Sequence, residues 1–177
     1  MSFTDAVQTG FRKYVVFSGK ASRSEYWWFF VFLLLANTAC GAIDSVIFGN
    51  DLIEEHVIDA QTYATIKTTG PVQSTFWLLT VLPFLAASWR RMHDAGRSGL
   101  FLFLPVIIVL AFGFGAASFG VMPDDVGWTG HVGVAALIVT AGLLSLLISV
   151  ILLLWWLTRP SQCTTNDYGP DPNEVTP

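Results

Sequence analysis

Ten consecutive residues constrain this chain more than any others: Arg90-Arg91-Met92-His93-Asp94-Ala95-Gly96-Arg97-Ser98-Gly99. They sit between two strongly apolar stretches, residues 75–88 and 100–117. A tight knot of charge between two apolar runs reads as a turn at a membrane surface. Its positive sign assigns that surface to the cytoplasmic side. Composition agrees: the chain is 53% hydrophobic and 12% charged, whereas soluble domains carry roughly 25% charged residues. A soluble core built from 177 residues cannot hide that many apolar side chains without large exposed patches, so lipid is the solvent for the surplus.

Four spans follow, at about residues 26–48, 75–89, 100–119 and 133–157. At a rise of about 1.5 Å per residue the second covers only about 22 Å, short of a hydrocarbon core of about 30 Å. It also contains Pro83, so a kinked crossing and a re-entrant segment are both open on length alone. Charge favours the crossing. Arg12, Lys13, Lys20 and Arg23 precede the first span, Arg90, Arg91 and Arg97 separate the second from the third, and Arg159 follows the fourth. The other two loops hold Asp51, Glu54, Glu55, Asp59, Asp124 and Asp125, with Lys67 as their single cation. Eight of nine basic residues thus share one side, which predicts four crossings with both termini cytoplasmic. The aromatic residues Tyr26, Trp27, Trp28, Trp89, Trp155 and Trp156 fall at the same span ends, where amphipathic rings prefer the interface.

The sequence therefore predicts one all-α membrane domain over residues 1–177. It comprises an amphipathic cytoplasmic segment (1–25), a four-helix transmembrane bundle (26–159) and a flexible cytoplasmic tail (160–177). Phe3, Val7, Phe11 and Val15 recur every four residues beside Arg12 and Lys13. That spacing suits a helix lying on the inner leaflet or one packing on the bundle. Ser22-Arg23-Ser24-Glu25 matches a capping box that would start the first span. In the outer loop, residues 49–73, the apolar positions suit either a helical turn or two or, over 57–66, a strand. The apolar run beginning at Tyr26 continues past the length of a cleaved signal, and Ala39-Cys40 lacks the residue a lipoprotein signal needs at Asn37. Cys40 and Cys163 do not suggest a disulfide, and no cysteine–histidine set suggests zinc. Gly19-Lys20-Ala21-Ser22 echoes Gly96-Arg97-Ser98, as two hairpins with similar entries would.

Three ordered motifs resemble a bacterial inner-membrane family called domain of unknown function 805. They are the run from Phe17 to Phe29, the run Arg90–Gly99, and Tyr168-Gly169-Pro170-Asp171-Pro172. The resemblance implies a four-helix inner-membrane protein and no activity. One departure is Asp167, an acid where that family usually has a base before the tail aromatic.

The chemistry concentrates at the charged end. Arg90, Arg91, His93, Asp94, Arg97, Arg23 and Glu25 are the candidate site. In a structural reading the cations complement a helix C-terminus, Gly96 makes a turn and Ser98 caps the third span. In a binding reading the arginine forks, Arg91 and Arg97 with His93, hold a lipid headgroup or another phosphate. Glu25 paired with Arg90 or Arg91 would tie one hairpin to the other; a complete capping box with a solvated arginine is the alternative. Asp44 and Asn37 are polar residues inside the first span, and Asp44, near its outer end, reads as water-facing or bonded to a helix.

Evidence for an enzyme is thin. Gly96-Arg97-Ser98-Gly99 fits the short serine motif of rhomboid proteases, but His56 and His131 fall across the membrane from it, leaving only His93 as a base. Adjacent residues such as His93 and Asp94 rarely orient one another. The expectation is a non-enzymatic structural, regulatory or partner-binding membrane protein without cofactor or metal. Its partners would be anionic inner-leaflet lipids, with a protein partner or homo-oligomer beside them and no nucleic acid. A small transporter or channel subunit is the alternative.

Overall fold

The structure is a computed structural model that describes residues 1–49, 53–58, 61–66, 70–120 and 128–161. The expected tail motif at Tyr168–Pro172, Cys163 and the acidic pair Asp124 and Asp125 lie outside the described residues.

Helix α1 (Phe3–Arg12) begins with a capping box. The Asp5 N–H donates to the Ser2 hydroxyl at 3.2 Å and the Ser2 N–H donates to the Asp5 carboxylate at 3.1 Å. Hydrogen bonding from Ser2, through its side chain first and then its backbone, holds the Asp5 carboxyl below its ordinary value of 3.8. The apolar side of α1 packs on the first span: Phe3 meets Trp28 edge-on at 5.8 Å and Phe11 meets Phe29 at 5.5 Å. Ala6 and Gly10 are buried beneath them, while Arg12 stays exposed.

Helix α2 (Arg23–Phe48) and helix α3 (Pro71–Asp94) form the first hairpin. Their 26 and 24 residues correspond to about 39 and 36 Å, long enough to cross a bilayer. The sequence reading of the second span, 75–89, is therefore too short by a turn at each end, and no re-entrant segment is needed. Gly70 supplies no side-chain cap for α3. Asp44, buried in α2, does so from across the hairpin: its carboxylate accepts the Val72 N–H at 3.0 Å and the Gln73 N–H at 2.7 Å. Of the two readings of Asp44, water-facing or bonded to a helix, the second is observed, and it fixes the end of the hairpin away from Arg90.

Pro83 sits inside α3. It has no N–H, so the carbonyl four residues earlier, that of Leu79, loses its helical donor. The Tyr14 hydroxyl donates to that carbonyl. The segment after α1 thus satisfies a backbone group that would otherwise stand open in an apolar setting.

The loop between α2 and α3 holds a hairpin of β1 (Ile53–Ile58) and β2 (Gln61–Ile66). The strands pair antiparallel, with Ile53 opposite Ile66 and Ile58 opposite Gln61. Among the described residues of this loop the strand reading is the one observed, as two strands, 53–58 and 61–66, where the sequence suggests strand over 57–66.

The second hairpin starts with a 3₁₀ turn, Gly99–Phe103, and continues as α4 (Leu104–Gly120) and α5 (Trp128–Thr158). Pro105 stands in the first turn of α4, where its missing N–H costs no bond. Both hairpins enter the same way: Gly19 (φ 85°) and Gly96 (φ 69°) adopt the left-handed backbone that glycine permits. A serine cap follows each, Ser22 accepting from the Glu25 N–H and Ser98 from the Leu100 N–H, both at 3.3 Å. The sequence echo is thus a structural one. All four long helices are apolar and long enough to cross a membrane.

Candidate functional site

The charged signature is a surface turn only in its second half, where Gly96 and Arg97 are exposed. Arg90, Arg91, His93 and Asp94 form the end of α3, and all four are buried, Arg91 and Asp94 completely. A reading by hydropathy ends the span at the first charge. The helix continues because the charges find partners inside the protein.

Arg90 reaches back to α2. Its Nη1 donates to Glu25 Oε1 at 2.7 Å and its Nε donates to the Ala86 carbonyl at 3.3 Å. The Arg90 carbonyl accepts the Ala21 N–H at 3.2 Å, so the strip before α2 is pinned as well. Glu25 consequently does not close the expected capping box. Ser22 still caps α2, but the Glu25 carboxylate goes to the arginine.

Arg91 reaches the other way. Its Nε donates to the Leu157 carbonyl at 2.9 Å, its Nη2 to the Arg159 carbonyl and its Nη1 to the Asp94 carboxylate. Asp94 also accepts the Ser161 hydroxyl at 2.6 Å. The last carbonyls of a helix lack intrahelical donors and carry partial negative charge, so a buried guanidinium there satisfies both needs. The two arginines therefore divide the work. Arg90 locks α2 to α3 within the first hairpin, and Arg91 locks that hairpin to the end of the second. The sequence expectation of a Glu25 pair holding the two hairpins together is corrected on this point: the pair exists but lies inside one hairpin, and Arg91 makes the tie between them.

His93 is buried at the same end and meets the Trp89 ring edge-on at 6.1 Å. Arg23 and Arg97 are exposed. The Arg97 guanidinium lies 5.2 Å from the centre of the Trp156 ring, and Arg159 lies 4.5 Å from that of Trp155. Of the seven candidate residues, five are thus gathered in the interior and two face outward. Arg159, which the sequence reading used only for topology, joins the outward group. Among the described residues, Arg90 Nη2 and Trp156 Nε1 are buried without a hydrogen-bond partner.

The profile of the family described as "Protein of unknown function (DUF805)" matches residues 14–170. The chain belongs to this family. The match takes in both arginine ties and all four apolar helices, and begins just after α1. Among similar proteins, inner membrane protein YhaI of Escherichia coli (strain K12) is 40% identical over 100 residues, which cover 54% of this chain and 69% of that protein. Inner membrane protein YhaH of the same strain is 27% identical over 107 residues, 57% of this chain and 77% of that protein. No solved structure matches.

Proposed function

We propose that this DUF805 protein is a non-enzymatic element of the bacterial inner membrane, with both termini cytoplasmic and α1 seated at the inner leaflet. Its exposed arginines engage anionic lipid headgroups. The observation that carries this reading is the division of the cations at one end of the fold. Arg90 and Arg91 are buried against internal partners, whereas Arg12, Arg23, Arg97 and Arg159 remain exposed.

Arginine at that depth pairs well with phosphate, and the indoles under Arg97 and Arg159 hold the guanidinium planes at the interface. The same division argues against catalysis. Asp94, the neighbour that would orient His93, is engaged by Arg91 and Ser161, and the Ser98 hydroxyl caps the 3₁₀ turn.

Native mass spectrometry of the gently solubilised protein tests the lipid reading. Wild type should retain phosphatidylglycerol selectively over phosphatidylethanolamine. The variant Arg23→Gln/Arg97→Gln/Arg159→Gln should lose that selectivity, and equal selectivity in the two proteins would sink the proposal.

A further inference from the structure

One side of the first hairpin carries a groove of about 390 Å³, lined by Phe30 and Asn37 of α2, Trp77, Thr80 and Phe84 of α3, and Phe103 beside α4. Nearly all of its wall is apolar, as lipid contact requires. Asn37 and Thr80 are the exceptions.

Asn37 lies about 21 Å along α2 from Arg23 and about 16 Å from Phe48 at 1.5 Å per residue, close to the middle of the span. Thr80, the hydroxyl facing the same groove, is satisfied internally by the Phe76 carbonyl at 2.7 Å. The Asn37 amide has no hydrogen-bond partner among the described residues. An unpaired amide at that depth is costly, because no water is present to solvate it.

This observation selects the occupant. An acyl chain fills a groove but offers neither donor nor acceptor. A primary amide offers both, so two of them related by a two-fold axis satisfy each other. The groove also opens sideways from the hairpin: Leu34 on its rim and Trp77 in its wall are 54% and 58% exposed, enough for a neighbouring helix to reach them.

We propose that this groove is a contact between two copies of the chain, paired through their Asn37 amides across a two-fold axis. Isologous pairing of this kind needs no second gene product and puts both amides in one shared hydrogen-bonded ring.

The test uses full-length chains labelled with a donor or an acceptor fluorophore and reconstituted in vesicles of phosphatidylethanolamine and phosphatidylglycerol. Energy transfer should rise with protein density for wild type. Asn37→Leu should weaken association by about 3- to 30-fold, the range for losing an interhelical polar contact in a membrane. Asn37→Gln, which keeps the amide, should stay within a few-fold of wild type. In a background of Cys40→Ala and Cys163→Ala, Leu34→Cys should cross-link to its own copy on oxidation. A wild-type chain that stays monomeric at every density overturns the proposal, since it means lipid alone covers the groove. So does an Asn37→Leu chain, with wild-type helix content, that associates as wild type does.

Discussion

Arg91 should be the most sensitive position in the protein, and the structure sets the size of the effect. Its three donor nitrogens serve three acceptors: the carbonyls of Leu157 in α5 and of Arg159 just beyond it, and the carboxylate of Asp94 in α3. Arg91→Leu keeps most of the volume and removes all three bonds. Removing one member of a buried ion pair costs about 3–5 kcal/mol. The two carbonyl bonds, each with a charged donor, contribute about 1.5–3 kcal/mol apiece and overlap with that figure. A total loss of about 4–6 kcal/mol follows, a large share of the 5–15 kcal/mol typical of a folded domain. Arg91→Lys keeps the charge beside Asp94, but one ammonium cannot span both carbonyls, so it should cost about 2–3 kcal/mol. The loss should be specific to the joint between hairpins, because Arg90, Glu25 and the α4–α5 contact are untouched. Reversible unfolding in mixed micelles with sodium dodecyl sulfate gives the energies. Spin labels at Thr38 and Leu143, one in each hairpin, report the joint as a broadened distance distribution in both variants. If Arg91→Lys unfolds within about 0.5 kcal/mol of wild type, about the scatter expected at an unremarkable surface position, the three-way grip does not hold the hairpins together.

Two further outcomes test the first hairpin. Asp44→Ala should cost about 1–3 kcal/mol, a lost cap plus its charge at a helix N-terminus, and should deprotect the amides of Val72 and Gln73 in hydrogen exchange; unchanged protection there would refute the cross-hairpin cap. Tyr14→Phe removes a single hydroxyl and should cost about 1–2 kcal/mol by leaving the Leu79 carbonyl unpaired beside Pro83; it should also loosen α1, seen as faster proteolysis near residue 14, whereas Tyr14→Phe at Pro83→Ala should cost much less because the helix then supplies its own donor.

The four long apolar helices were legible because hydropathy depends on sums. A long apolar run is visible without knowing any contact. The serine caps at Ser22 and Ser98 were legible because a cap is local, three residues or fewer in reach. The Glu25–Arg90 pair was legible as two opposite charges at one end of the bundle; what escaped the sequence was the interactions whose other half is a distant backbone group, which has no side-chain signature. Arg91 binds backbone carbonyls 66 and 68 residues away, and a carbonyl is the same in every residue. Asp44 was visible as a polar residue near a span end, but its acceptor role required knowing where α3 begins. One signal was present: Gly70-Pro71 starts a helix with no side chain able to cap it, so an acceptor had to come from elsewhere.

The error about α3 has the same root and bears on function. Hydropathy treats a charge as the end of a span because it weighs each residue against lipid or water. Inside this fold the relevant comparison is with Glu25, Asp94 and the end of α5, and against those partners Arg90 and Arg91 are stable at zero to one per cent exposure. The most conspicuous chemistry in the sequence is therefore spent on assembling two hairpins. In the proposed reading, a ligand or partner is recognised by the residues that this assembly leaves over. At the charged end those are Arg12, Arg23, Arg97 and Arg159, and inside the membrane it is the amide of Asn37. Each is a donor that the described fold does not use up, which makes these positions, rather than the buried arginines, the ones where substitution should change what the protein binds without changing how it folds.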